Sequence, residues 1–459
     1  MPKTKKLAEG KALSSDTREA SRPRRLRWMR LDNAAKIYPA ARSRRWSNAF
    51  RVSVTLKESV DREALQRALD VTVRRFPSIS VRLCRGFFWY YLEELSEAPC
   101  VLTEGGYPLK HMSRRELRRC AFRVLAYENR VAVEFFHAIT DGNGGIVFLK
   151  NLLAEYTEQK YGATIPCTHG VVDRQAQPRA QELADRFPEH CTGRALSRAE
   201  ENAYHIDGTP VRGGFVYDLS MALSVAQVRE RAKAMGVTVT AYLTAVLMEA
   251  ALHLQQAQVR PKRYRPIKIL LPVNLRRLYP EHADTLRNFA LYVTPEIDPR
   301  MGEYTLEEIC RCVRHQMEME ITPKRMSARI TTNVNTEKSV FVRALPLFIK
   351  NPIMKLIFSL FGDRKSTFNF SNLGAVTLPE EVAEHILHMN FVLRVPASTR
   401  NNVSAVSFGD AMRIDFVRNM EEPRLERAFY EILKREGVAV TVESNTHNAP
   451  RGKENQCTV

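Results

Sequence analysis

Apolar side chains recur along this chain in two rhythms, every second position and every third or fourth, and the two take turns over most of its length. Residues 49–56 alternate as a strand does. Residues 61–76 then set Leu65, Ala68, Leu69, Thr72 and Phe76 on one helical face, and Pro77 ends the helix. Strands follow at 79–83 and 87–92. Residues 121–127 and 130–136 are extended runs joined by Glu128-Asn129, which predicts a hairpin with a two-residue turn. Ile146, Leu149, Leu152, Leu153 and Tyr156 mark an amphipathic helix soon after it.

Residues 165–212 are rich in Pro, Arg, Gln, Glu and Gly and hold no long periodic run, so they read as a connection. Beyond it the alternation resumes, with a short helix at 226–235 and a strongly apolar one at 240–256. Strands are predicted at 267–271, 289–294, 366–370, 389–395, 402–408 and 411–416, and a last helix at 423–436. The pattern predicts an α/β (α+β) protein of two lobes, an N-terminal one over 28–164 and a C-terminal one over 213–445. Residues 1–27 and 446–459 are polar and poor in large apolar groups, and read as disordered tails.

Composition narrows the functional classes. With 44% hydrophobic residues in 459, the chain has apolar material for real cores, which excludes wholesale disorder. Its 8 cysteines include no CxxC pair, and Cys310 and Cys312 would lie on different faces of a helix. A zinc knuckle or a secreted disulfide scaffold is therefore not expected, no metal site is expected from the His and Cys spacings, and a reducing cytoplasm is the expected location. The net charge of +19 favours anionic partners in general. Ten basic side chains against three acidic ones fall within residues 1–30. Aromatic residues are not interleaved with the basic runs and no RNA- or DNA-binding signature appears, so specific nucleic-acid binding is the least favoured reading. The most apolar run, 345–361, is broken by Lys350, Asn351, Pro352 and Lys355, too short and too charged to span a bilayer. An amphipathic helix there, lining a groove or meeting a membrane surface, is the alternative to an ordinary half-buried one.

The candidate for chemistry is His137-Ala-Ile-Thr-Asp141-Gly142-Asn-Gly-Gly145, set where the hairpin ends and a helix begins. Chance alone supplies roughly 0.34 His-x-x-x-Asp hits in this composition, and His169…Asp173 is indeed a second one; demanding Gly after the Asp lowers chance to about 0.015, and only the first site passes. An imidazole projecting from a strand end into a cleft suits general-base catalysis near neutral pH. Four residues on, Asp141 suits a structural ion pair better than contact with substrate, and a buried carboxylate there calls for an arginine partner. The plainer alternative is a hydrogen-bonded His137 ending a strand and an Asp141 capping a helix.

This stretch resembles the HxxxDG signature of the chloramphenicol-acetyltransferase-like superfamily, which includes alcohol acetyltransferases, polyketide-associated acyltransferases and condensation domains. Leu271-Pro-Val-Asn274-Leu-Arg276 with Arg287-Asn288-Phe289, and Ser371-Asn372-Leu373-Gly374 with Leu378-Pro379, resemble further stretches of the alcohol-acetyltransferase branch. The resemblance spans about 29–436 and implies a mixed sheet flanked by helices in each lobe, with a tunnel between lobes. It implies His137 as general base, Asp141 paired structurally with Arg276, and Gly142 and Gly145 in a tight turn beside substrate. Ser371, Asn372 and Asn274 would be oxyanion or substrate contacts. The substrates implied are an acyl thioester, acyl-CoA or acyl-phosphopantetheine, and an alcohol or amine, with no other cofactor, an acidic carrier protein as a further partner, and a monomeric chain. The block Asp-Phe-Gly-Trp of plant acyltransferases is absent, and His-Ala stands where condensation domains double the histidine. A noncatalytic or carrier-protein-dependent condensation-domain relative is the competing reading.

Overall fold

A computed structural model describes residues 26–42, 48–191, 201–211, 214–338, 344–361, 363–396 and 399–446. Both expected tails lie almost wholly outside the described residues. The chain builds two sheets that face each other across a cavity, and a three-stranded sheet formed by β1 (Trp28–Arg30), β3 (Val81–Arg85) and β4 (Tyr90–Glu94).

The first lobe centres on five strands in the order β13-β2-β7-β6-β5, where β2 is Ala49–Leu56, β5 Leu102–Thr103, β6 Phe122–Tyr127, β7 Arg130–Phe136 and β13 Ile386–Leu393. Helices Arg62–Arg75 and Gly142–Tyr161 pack on one face. Their seam is aromatic, with Phe148 set edge-on to Phe76, Phe122 and Phe135. Strand β2 buries both faces. Phe50, Val52, Val54 and Leu56 enter this core, while Arg51 on the opposite face meets Glu104 at 2.7 Å and Glu134 at 3.5 Å. Arg123 sits beyond Glu134 at 2.8 Å, so opposite charges alternate across three adjacent strands.

The second lobe is an eight-stranded mixed sheet, β10-β9-β12-β14-β15-β8-β16 with β11 also on β9. Its strands are β8 (Tyr217–Ser224), β9 (Ile267–Asn274), β10 (Ala290–Val293), β11 (Glu296–Ile297), β12 (Phe368–Ala375), β14 (Asn401–Phe408), β15 (Ala411–Arg418) and β16 (Val440–Ser444). Helix Val239–Gln258, apolar on nearly every side, is its central core element, covered by Leu306–Glu320 and Arg424–Arg435. No single helix among the described residues is long and apolar enough to cross a membrane.

The division between lobes does not follow the chain. Strand β13 comes from the second half of the sequence yet pairs antiparallel with β2 over Leu56↔Ile386 to Phe50↔Leu393. Asp415 of β15, 1% exposed, fastens it to the other lobe by accepting from Asn390 Nδ2 at 2.8 Å and from the Phe391 N–H at 3.2 Å. Residues 165–191 and 201–206 run largely along the surface but are anchored at intervals: Ile165, Val171, Phe187, Tyr204 and Ile206 are buried, and Glu182 makes a two-pronged pair with Arg75. Two strands start later than the hydrophobic pattern predicts. Residues 86–89 close a tight loop through Gly86 N–H to Trp89 O at 2.9 Å, so the second strand begins only at Tyr90 and leaves Phe87 and Phe88 exposed.

Asp415 has Asp218 of β8 as a near neighbour on the same sheet face. Burial raises both carboxyls, and for Asp218, pushed up to about 8, the Asp415 charge adds to burial. The folded pair therefore holds a proton that the unfolded chain gives up near pH 4. Its contribution is complete below that pH and is lost as pH rises through the folded values, up to about 8. Melting temperature should fall over this interval, and Asp218→Asn should flatten the upper part of the fall; an unchanged profile would count against the shared proton.

Candidate active site

The hairpin β6–β7 delivers His137 to the seam, where its backbone N–H donates to Asn48 O at 2.8 Å. Asp141 then caps helix Gly142–Tyr161, its Oδ1 accepting from the Gly144 N–H at 3.1 Å. A cavity of ≈ 780 Å³ opens here between the lobes, within the ordinary range for a small-molecule site. The first lobe lines it with Tyr38, Asn48, Phe50, His137 and Asp141, the second with Asn274, Arg276, Ser371 and Asn372, and β13 with Phe391 and Leu393.

His137 is half-buried and held on three sides. Tyr38 stacks on its ring at 4.6 Å and Phe50 meets it edge-on at 5.2 Å. Its Nδ1 lies 3.1 Å from Asn288 Oδ1. The direction of that bond follows from the next link. Asn288 points its Nδ2 at Asp32 Oδ2, 3.1 Å away, and the same oxygen accepts from the Asn288 N–H at 3.3 Å. A carboxylate can only accept, so the amide nitrogen faces Asp32 and the amide oxygen faces the histidine, which must donate from Nδ1. The lone pair is left on Nε2, which makes no hydrogen bond among the described residues. Asp32 is fully buried and fixed in turn by the Ala35 N–H at 2.7 Å and Arg287 Nε at 3.4 Å. Burial, then the Asp32 and Asp141 charges, raises the Tyr38 phenol well above its ordinary value, so it stays a neutral hydroxyl.

Asp141 takes a different direction. Its Oδ2 accepts from Arg276 Nη1 at 2.7 Å and from the Phe289 N–H at 2.9 Å. Arg276 is anchored by Nε to Thr285 O at 2.9 Å, Nη2 to Arg287 O at 2.6 Å and Nη1 to Asn274 Oδ1 at 3.2 Å. With both oxygens engaged away from the imidazole, Asp141 positions the loop and does not touch His137.

The remaining expected residues divide. Asn274, Ser371, Asn372 and Gly142 line the cavity. Asn372 is engaged, its Nδ2 on Thr240 Oγ1 at 3.1 Å and its Oδ1 on the Gly374 N–H at 2.8 Å. Gly145 does not line the cavity; a Cβ there would meet Phe50 at 2.7 Å, so this glycine serves core packing. Gly144 is the tightest position, where a Cβ would lie 2.0 Å from Thr140 Oγ1 and 2.7 Å from Leu286 O. These glycines permit close approach, and none of the three has a positive φ.

Asn288, Asp32 and Tyr38 are additions that sequence reading does not assign. Asn288 stands inside a quoted stretch but without a task, and Asp32 follows the basic tail with no pattern to mark it. Spacing likewise finds no metal set, although the fold brings His190, Glu281 and His282 together elsewhere.

No protein-family profile matches this sequence, and no curated protein does. Solved structures do match. TRI101 of F. graminearum, in complex with coenzyme A and T-2 mycotoxin, is similar over 90% of this chain and 99% of its own, with TM-score 0.60 and 9% identity. TRI3 trichothecene 15-O-acetyltransferase from Fusarium sporotrichioides is similar over 90% and 95%, with TM-score 0.56 and 12% identity. The first condensation domain of the CDA synthetase is similar over 89% and 94%, with TM-score 0.54 and 14% identity. The chain thus has the two-lobed chloramphenicol-acetyltransferase-like fold, as its central motif leads one to expect.

Breaking the buried pair should be felt in stability first. Asp141→Ala leaves Arg276 charged and unpaired, which costs about 3–5 kcal/mol. Urea unfolding should show that loss, and Gly144→Ala should reduce soluble yield; wild-type stability in both would contradict this account of the seam.

Proposed function

We propose that this protein is an acyltransferase that moves an acyl group from a thioester, acyl-CoA foremost, to an alcohol or amine, with His137 as general base. The observation that carries the reading is the Asp32–Asn288–His137 run. It holds the imidazole in the tautomer whose free lone pair is on Nε2, on the wall of a cavity large enough for two small substrates. The likeness of the fold to acetyltransferases and condensation domains supports the same reaction class.

The steps follow from these positions. His137 Nε2 takes the acceptor's proton as its oxygen or nitrogen attacks the thioester carbonyl. The Nδ1–H to Asn288 bond strengthens as the imidazolium forms, because Asp32 polarises the amide. Ser371, which lines the cavity, is the proposed hydroxyl donor to the developing oxyanion. The carbon–sulfur bond then breaks, and Nε2 returns its proton to the leaving thiolate. CoA enters as part of a substrate that is consumed, not as a resident group. Seven basic residues against three acidic ones line the cavity, a balance that suits a phosphorylated donor, whether CoA or a phosphopantetheine arm on an acidic carrier.

The test is thiol release by the full chain with a panel of acyl-CoAs and small alcohols or amines. His137→Ala should lower turnover by about 10²–10⁴-fold with the fold intact. Asn288→Ala should lower kcat by about 10–100-fold with little change in the KM for thioester, as expected for a bond that strengthens with charge. Undiminished release by His137→Ala would remove the base from the mechanism.

A further inference from the structure

The turn Phe187–His190 and the turn Pro280–His282 are far apart in the chain but packed together on the flank of the active-site loop. One ligand atom each from His190, Glu281 and His282 can be chosen so that all lie within 4.8 Å of one another. The two histidines are half-buried; Glu281 is exposed and free to swing.

Two atoms mark the site as incomplete. His190 Nε2 and His282 Nδ1 are both shielded from solvent and have no hydrogen-bond partner among the described residues. Unpaired buried nitrogens are costly and uncommon. The tautomer of His282 explains why its Nδ1 is suited to more than an empty space. Glu189 Oε2 lies 3.3 Å from His282 Nε2, and Glu189 Oε1 is braced by Arg186 Nη1 at 2.7 Å. The contact is an ion-pair approach and not an aligned hydrogen bond; a small turn of Glu189 would align it, place the proton on Nε2 and leave the lone pair on Nδ1, as carboxylates do for metal-bound histidines. His190 stacks on Tyr279 at 3.8 Å with its ring edge-on to His282 at 5.0 Å.

We propose that His190, Glu281 and His282 bind a zinc ion, with Glu189 as the carboxylate that orients His282. Two imidazole nitrogens and one carboxylate oxygen match the preference of zinc, not that of magnesium or calcium, which take oxygen ligands. Tetrahedral bonds of about 2.1 Å require the three atoms to draw in from their present spread, a movement that Glu281 can supply. The fourth position is open to water. The ion would act as a structural clamp. On one side is the segment whose Glu182 and Ala184 carbonyls accept from the Leu286 N–H at 3.1 Å and from Thr285 Oγ1 at 2.9 Å; on the other is the loop bearing Arg276 and Asn288.

The experiment titrates zinc chloride into the metal-stripped full chain by calorimetry and follows the melting temperature. Cobalt(II) is added in parallel to read coordination from its visible spectrum. One zinc per chain, a raised melting temperature and a tetrahedral cobalt spectrum without thiolate charge transfer would support the site. Glu281→Gln, exposed and so harmless to folding, should weaken binding at least tenfold; His282→Ala should abolish it. Glu189→Gln should weaken it by about 10–100-fold. No stoichiometric binding, or binding that Glu281→Gln and His282→Ala leave unchanged, would overturn the proposal, and neither result depends on whether the chain transfers acyl groups.

Discussion

Asp141 and Arg276 meet across the seam with their side chains only 6% and 5% exposed. Taking two charges out of water is expensive, and the cost is met only when nearly every polar atom of both finds a partner. Here they do. Arg276 gathers two carbonyls and an amide oxygen from its own loop, and Asp141 gathers the Gly144 and Phe289 N–H groups. The pair therefore binds the start of one lobe's helix to a loop of the other at several points. His137 is four residues upstream of one partner, and Asn288 sits between the Arg287 carbonyl and the Phe289 N–H that the pair holds. The spacing of the imidazole from its amide partner is thus set by a salt bridge that touches neither.

This separates two tasks often assigned to one carboxylate. Asp141 carries geometry, and Asp32, from a different stretch of chain, carries the polarity that reaches the histidine. The stacked Tyr38 and the edge of Phe50 fix the ring plane, so rotation about the side-chain bonds is limited by packing as well as by hydrogen bonding. An imidazole held this way would lose little freedom in the proposed proton transfer.

Much of the fold was legible because its elements announce themselves. The hairpin ahead of His137, the buried helix Val239–Gln258 and strands β9, β10, β12, β14 and β15 of the second lobe are driven by local periodicity, whereas β8 and β16 were not read. Helix Pro323–Lys338 was not, and the reason is physical. Its polar side, including Arg325, Arg329, Thr332 and Asn333, turns to the cavity, leaving only Met326, Ile330 and Val334 for the core, too thin a stripe to read. The same holds for the site. His137, Asp141 and Arg276 stand in motifs, whereas Asp32 and the His190–His282 cluster exist only through contacts between distant segments, which no spacing rule encodes.

The borrowed strand β13 has a bearing on how the molecule comes into being. As the chain leaves the ribosome, the first lobe is synthesised long before residues 386–393 appear, so β2 waits as an open sheet edge with apolar neighbours. A lobe in that condition cannot reach its final form alone, and the domain-by-domain order common in large proteins is closed to it. Insertion of β13 is thus the step that completes the first sheet and also joins the lobes through Asp415. Until then the β2 edge is open to pairing with other chains.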